Sequence, residues 1–278
     1  MSTLPKITIV TPSFNQASFI RETIESVINQ DYPNFEYFVA DGGSTDGSVD
    51  IIREYEDKIT WWISEKDDGQ SDAINKGFRR STGELCAWVN SDDVLLPNCL
   101  REIAEFYLAN NQPDVINSNC IYINEDSKVI GMSIVSKQTY FFARRCVWFM
   151  NQPAVFYKTS VIRQNNYLNP KFHIAMDVDM WIKLMKMGCR FEHIPKFLGA
   201  FRWQENSKTS QVIKTQSILY YPEIMVILQQ SSWNISSFRA KVWRLVWQLL
   251  QVLEFNYLIR FFKTLSLAGK SLYAIPKF

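Results

Sequence analysis

At 278 residues, with 47% hydrophobic content and a formal net charge of +2, the chain suits one large domain, or one domain with an appendage, folded around a sizeable core. That balance excludes a disordered chain and argues against nucleic acid as a partner. The five cysteines, at 86, 99, 120, 146 and 189, are odd in number and widely spaced. Without a paired C-x-x-C they suit neither zinc nor redox chemistry, and they read as reduced core residues of a cytosolic protein.

The small net charge conceals an asymmetry. Residues 212–278 hold eight Lys or Arg against two Asp or Glu, a net +6, whereas the remaining 211 residues hold 22 basic against 26 acidic, a net −4. A split of this kind suggests two jobs in one chain. The expected boundary lies near Val212, with a body over 1–211 and a basic tail over 212–278.

The N-terminus, MSTLPKITIV, enters a strand-like run after five residues and leaves no room for the charged and apolar regions of a secretion signal. A cytoplasmic location is expected. Ile7 to Val10 reads as a strand, Pro12-Ser13-Phe14-Asn15 as a turn, and the next stretch as a helix with Ile20, Ile24, Val27 and Ile28 on one face and Ser18 as its N-cap. Phe35 to Ala40 reads as a second strand, Val49 to Tyr55 as a helix and Ile59 to Ser64 as a third strand. Residues 70–80 read as a helix and 85–90 as a fourth strand. Strands alternating with helices at this spacing imply βαβ units and a parallel sheet with right-handed crossovers.

The loops after those strands share a chemistry. They are Thr11-Pro-Ser-Phe-Asn15, DGGSTDGS from Asp41, SEKDDGQSDAINKG from Ser64, and Asp92-Asp93 after the apolar run of Leu85, Ala87, Trp88 and Val89. In open α/β sheets ligands bind at the carboxyl edge of the strands. Carboxylates gathered on one rim repel one another, and the usual remedy is a bound cation. Two local readings stand beside this one. Glycines 42, 43 and 47 are also ordinary turn residues, and Ser-Asp-Asp before a helix is also an N-cap.

Taken together, IVTPSFN, VADGGSTDG, SEKDDGQSDAINKG, WVNSDD and AMDVDMW resemble family 2 of the inverting glycosyltransferases, over about Ile7 to Ser210. The resemblance implies a nucleotide-diphospho-sugar transferase fold of the GT-A type: a Rossmann-like α/β architecture with a mostly parallel central sheet and helices on both faces. It places Pro12, Phe14 and Asp41 around the base. A carboxylate at Asp41 suits the N3–H of uracil, which favours a UDP-sugar, and the Phe14 ring offers an apolar face, although core packing is its plain alternative. Asp68 and Asp72 match positions facing the ribose and donor sugar, and Asp72 also suits a first helical turn.

By the same resemblance, Asp93 would bind Mg²⁺ or Mn²⁺ bridging the two phosphates, and Asp92 would hold the ribose or support the ion. Such an ion neutralises the departing nucleoside diphosphate. Inversion needs a base on the opposite face of the sugar, and Asp177 matches that position. On a helix Asp179 would point about 200° away and could not share the role. Trp181, Leu184 and Met185 read as core. FRWQENSKTSQ resembles a closing loop over the pyrophosphate, with Arg202 and Lys208 as cationic contacts and Ser207 and Thr209 as hydroxyl ones. Gln204 stands where many relatives carry histidine, so a third protein ligand to the metal is not implied. His173 and His193 fit no triad or zinc spacing and read as structural.

In the tail, polar residues recur at 241, 244, 248 and 251 among Trp243, Trp247 and a run of leucines and valines. This is an amphipathic helix with a narrow basic stripe, interrupted too often for a membrane span of about 20 apolar residues. It suits the cytoplasmic membrane surface, where a lipid-linked acceptor is found. Packing onto the body, or a homodimer interface, explains it equally. The activity expected from the whole is transfer of a sugar to a glycan or lipid-linked acceptor in surface-polysaccharide assembly. Two rivals remain: a nucleotidyltransferase, which would be expected to carry a basic Gly-rich loop where residues 11–16 have neither Lys nor Arg, and an inactive scaffold, which would tolerate loss of the acids.

Overall fold

The computed structural model describes residues 4–143, 150–205, 207, 222–231 and 264–274. Lys208, Thr209, Cys146 and the amphipathic stretch 238–253 lie outside the described residues. The first half follows the alternation in the sequence: β1 (Ile7–Ser13), α1 (Ile20–Ile28), β2 (Phe35–Asp41), α2 (Ser48–Arg53), β3 (Trp61–Ser64), α3 (Gln70–Arg80) and β4 (Leu85–Trp88). Then come β5 (Val94–Leu95), α4 (Cys99–Ala109), β6 (Val115–Ile123), β7 (Val129–Ser133), α5 (Tyr140–Ala143), β8 (Val155–Lys158), α6 (Thr159–Gln164), α7 (Met176–Lys186) and β9 (Phe191–Arg202). The helix α8 (Pro222–Gln230) and a 3-10 turn at Leu272–Ala274 are described in the basic tail.

The nine-stranded sheet has the order β3-β2-β1-β4-β8-β6-β9-β5, with β7 alongside β6. The four strands read from the sequence pair in parallel. Beyond β4 the sheet is mixed: β8 runs antiparallel to both β4 and β6, β9 runs parallel to β6, and β5 runs antiparallel to β9.

Alternate residues of each strand serve two separate cores, as period-2 geometry requires of a sheet covered on both faces. Ile9, Tyr37, Val39 and Ala87 pack with α1 and α4. Val10, Phe38, Trp88 and Tyr157 pack with α3, α7 and α8, whose Ile224, Ile227 and Leu228 are buried there. Fully burying a side chain of this size contributes about 1.5–3 kcal/mol, so α8 is held to the body by its sequence pattern. Leu267 and Leu272 join a third cluster with Val94, Ile121, Val129 and Ala200. Among the described residues no helix is long and apolar enough to cross a membrane.

Ser18 does not cap α1. Phe19 occupies that position and no side chain caps the helix. The incoming loop is held instead from the next one: the backbone N–H groups of Asn15, Gln16 and Ala17 donate to Ser44 Oγ (2.7 Å), Ser48 Oγ (2.9 Å) and Asp46 Oδ2 (2.9 Å). Cys86, Cys99 and Cys120 are free and buried, and Cys189 is free and half-buried.

Candidate active site

The carboxyl ends of β1 to β4 bring the four polar loops to one edge, and turn chemistry shapes each loop. Asp41 ends β2 and is 1% exposed. Its Oδ2 accepts from Gly43 N (3.0 Å), Ser44 N (2.9 Å) and Ser64 Oγ (2.7 Å), and its Oδ1 from Ser44 Oγ (2.5 Å). This carboxylate therefore holds the DGGS loop closed, with both oxygens engaged by protein donors. Gly43 and Gly47 have φ of 83° and 98°, which glycine adopts without steric cost. Gly42 serves close approach: a Cβ there would lie 2.7 Å from Asp67 Oδ2.

Asp67 was not singled out in the sequence. Its Oδ1 accepts from Gly69 N (2.9 Å), so the carboxylate is fixed over the glycine pair. The signal for it is that pair itself, which leaves room where a side chain would stand. Pro12 is buried in β1 opposite Ala40, whereas Phe14 is 59% exposed; its ring is therefore free to cover a ligand and is not core. Asp68 is exposed, and its N–H donates to Asp72 Oδ2 (3.4 Å). Asp72 also lies 3.5 Å from Lys76 Nζ. The first-turn role thus describes Asp72, at the same rim.

The two adjacent aspartates have different environments. Asp93 is 0% exposed. Its Oδ2 accepts from Asn90 Nδ2 (2.9 Å) and its Oδ1 from the Arg202 backbone N (3.0 Å). It faces into the protein, where it secures the end of β9 beside Asp92. Asp92 is partly exposed, and its Oδ2 accepts from Gln204 Nε2 (2.6 Å). Burial pushes Asp92 above the usual carboxylate range, and burial together with the Asp92 charge pushes Asp93 well above it.

Arg202 does not stand free to meet phosphate. It is 1% exposed. Its Nε donates to Asp92 O (2.8 Å), Nη1 to Asn124 O (3.0 Å) and Ser127 Oγ (2.9 Å), and Nη2 to Glu22 (2.5 Å), with Phe19 stacked 4.9 Å from the guanidinium. All three of its guanidinium nitrogens are committed to protein acceptors. The result leaves the Asp92 and Asp93 carboxylates without a side-chain ion-pair partner among the described residues. Asp92 with Gln204 offers hard oxygen donors, and no cluster of three or more His, Cys, Asp or Glu suited to a metal occurs among the described residues. That donor set fits Mg²⁺ or Mn²⁺ held mainly by a ligand's phosphates, and does not fit a dedicated all-protein cage.

Asp177 lies in the first turn of α7, and its Oδ1 accepts from Val178 N (2.7 Å). Burial pushes its carboxyl up to about 6. Asp179, by contrast, is paired with Lys183 Nζ at 2.7 Å. A chain of contacts connects the start of α7 to the sheet edge. Ser71 Oγ donates to Phe172 O (3.1 Å), Gln70 Nε2 donates to Asn90 Oδ1 (2.7 Å), and Trp181 Nε1 donates to Tyr157 OH (2.8 Å), whose ring stacks on Trp88 at 5.6 Å. Trp181 is buried core, as its spacing implied. Of the histidines, His193 meets Asn119 Oδ1 at 3.1 Å, and burial holds it at about 4, hence neutral at pH 7.

The model of glycosyl transferase family 2 matches residues 8–169. The chain belongs to this family. An uncharacterized glycosyltransferase of Methanocaldococcus jannaschii is 23% identical over 227 residues, covering 78% of this chain and 77% of that protein. A putative teichuronic acid biosynthesis glycosyltransferase of Bacillus subtilis, TuaG, is 34% identical over 107 residues, covering 37% of this chain and 42% of that one. Among solved structures, S. aureus TarS 1-349 in complex with UDP-GlcNAc superposes with a TM-score of 0.65 at 19% identity, over 81% of this chain and 65% of that one. The mannosyltransferase PcManGT from Pyrobaculum calidifontis, in complex with GDP-Man and Mn²⁺, gives 0.58 at 16% identity over 90% and 81%.

In this family 2 chain two more residues matter to the site without having been read from the sequence. Glu22 faces Arg202, and Glu223 accepts from the backbone N–H groups of His173, Ile174 and Ala175, each at 2.9 Å. Their partners lie up to 180 positions away, beyond the reach of any local pattern.

Proposed function

We propose that the protein is an inverting, metal-dependent glycosyltransferase that takes a nucleotide-diphosphate sugar, with UDP-sugar favoured, and passes the sugar to a glycan or lipid-linked acceptor in cell-surface polysaccharide assembly. The observation that carries this reading is the presence of two unlike carboxylates: Asp92 at the sheet edge, part-exposed and held by Gln204, and Asp177, raised by burial to about 6, in the α7 turn whose Met176 contacts Ser71 of α3. An acid that titrates just below neutral is well matched to accepting a hydroxyl proton at pH 7. Asp177 would take the proton from the acceptor oxygen as that oxygen bonds the anomeric carbon and the bond to the diphosphate breaks.

Phe14, Pro12, Asp68 and Asp72 would border the nucleoside, and Lys208 is kept as a phosphate contact on the family pattern. Asp92 and Asp93 would hold Mg²⁺ or Mn²⁺ beside the phosphates, where the ion would supply charge neutralisation to the leaving diphosphate. TarS with UDP-GlcNAc and the teichuronic acid relative support the donor and the surface-polysaccharide setting, and PcManGT with Mn²⁺ supports the metal. The basic tail would rest peripherally on the cytoplasmic face of a membrane; failure to co-sediment with anionic vesicles would remove that part.

The test is calorimetry with UDP, GDP and dTDP, each with and without Mn²⁺, on the wild type and on Asp92→Ala. Metal-dependent binding of one diphosphate, lost in the variant, supports the reading and names the nucleotide. Binding of a nucleoside triphosphate alone would favour nucleotidyl transfer, and binding of none would leave the scaffold reading.

A further inference from the structure

We infer that two described pieces of the tail, α8 and segment 264–274, position the two acidic centres: Glu223 sets Asp177, and Tyr273, acting through Glu22 and Arg202, sets Asp92. The inference rests on the donor-site reading above.

The residues just before α7 would otherwise leave helix-terminal N–H groups unpaired, since no side chain caps that helix. Glu223, from α8, accepts from three of them in succession, His173, Ile174 and Ala175. A carboxylate at this end also meets the positive pole of the helix. The last of these donors lies two positions before Asp177, so the Glu223 carboxylate fixes the direction in which α7 begins. It cannot easily swing away, because Ile224, Ile227 and Leu228 bury α8 in the core that also contains Met176 and Met180.

The second arm enters from the other end of the tail. Segment 264–274 pairs with the start of β7: Val129 N donates to Lys270 O, Gly269 N to Val129 O and Leu272 N to Ser127 O, each at 2.9 Å. Leu267 and Leu272 anchor it in the cluster beneath β6 and β9. From there Tyr273 OH donates to Glu22 Oε1 (2.5 Å). Glu22 Oε2 meets Arg202 Nη2 at 2.5 Å, with the arginine side chain 0% exposed. Arg202 then contacts both aspartates, through Nε to Asp92 O and through its backbone N to Asp93 Oδ1. Ser127, from the same turn that binds Leu272, donates to Glu22 and accepts from Arg202, which closes the circuit.

The two arms touch different halves of the reaction, and this separates positioning from general support. The experiment uses the full chain with Glu223→Gln, Glu223→Asp, Glu22→Gln and Tyr273→Phe, reading the Kd of UDP with Mn²⁺, the kcat of UDP release from a UDP-sugar, and the melting temperature. Glu223→Gln is expected to lower kcat about tenfold with Kd within about twofold of wild type, and Glu223→Asp, which keeps the carboxylate, to recover most of that loss. Glu22→Gln is expected to raise Kd about tenfold and Tyr273→Phe about threefold, with kcat at saturation unchanged. Parallel changes of kcat and Kd that follow the melting temperature in both arms would overturn the inference, as would no change in either. A wild type that binds no nucleoside diphosphate would bring down the donor-site reading itself, and this inference with it.

Discussion

The two halves of the sheet hold their acids in different ways. In the loops that follow β2 and β3, carboxylates are satisfied largely within a few positions: Asp46 by Ser48, Asp67 by Gly69, and Asp41 by Gly43 and Ser44. In the mixed half they depend on distant chain. Asp93 is joined to Arg202 across 109 positions and Asp92 to Gln204 across 112. Local loops of this kind are shaped by turn chemistry as they form. Long-range contacts appear only after the entropy of closing a large loop has been met, so the Asp92–Asp93 pair depends on β9 docking and the glycine loops do not.

The largest expected effect comes from the first turn of α7. Asp177→Asn should lower kcat roughly a thousandfold, within the usual range for a general base, while leaving UDP affinity near wild type by calorimetry. In the wild type, log kcat/KM should fall with unit slope as pH drops through about 6, because the carboxylate acts only when ionised and burial sets that value. A flat profile down to pH 5 would exclude Asp177 as the base.

Next comes the far end of the parallel half, away from the site. Glu36 is 4% exposed and accepts from Thr8 Oγ1 (2.6 Å) and Thr82 N (2.6 Å), with Lys6 Nζ 2.7 Å away. Burial alone would raise its pKa, but Lys6, Thr8 and Thr82 outweigh burial and lower it to about 2. A depressed folded value stabilises above the unfolded pKa and is lost as pH falls from about 4 towards 2. Glu36→Gln should therefore remove roughly 3 kcal/mol at neutral pH and flatten the acid limb of the stability curve, measured by denaturant titration.

The aspartate pair sharpens the comparison further. Asp93→Ala strands the Arg202 N–H and the Asn90 amide and should cost about 1–3 kcal/mol of stability. Asp92→Ala should leave the melting temperature nearly unchanged yet abolish metal-dependent UDP binding; the reverse pattern would make Asp93 the principal ligand. Smallest is Phe14→Ala. Its ring is exposed, so stability should hold while donor affinity drops about fivefold, the equivalent of about 1 kcal/mol for an aromatic contact.

The same contrast explains what could be read in advance. The runs Ile7–Val10 and Phe35–Ala40 and the 70–80 helix were legible because period-2 and period-3.6 patterns are local, and the rim of acids followed from where those strands end. The protein partners of Arg202 were not legible, because a cation in a loop motif looks the same whether or not a buried glutamate faces it. Nor was the difference between Asp92 and Asp93: adjacent residues at a strand exit point in different directions, and only the arrival of β9 decides which one is covered. Ser18 had the right chemistry for a cap, but the chain placed Phe19 there and drew its caps from the neighbouring loop.

By itself, the sequence determined the parallel half, the carboxyl-edge location of the acids and the family to which the chain belongs, since each rests on periodicity and motif spacing within a few dozen residues. Tertiary structure alone decided that β8 inserts between β4 and β6, that Asp92 and not Asp93 faces the rim, and that Glu22, Glu223 and Tyr273 support the site. The physical reason is burial. A carboxylate or guanidinium takes on its role from the groups that desolvate and pair with it, and for these residues those groups come from remote parts of the chain.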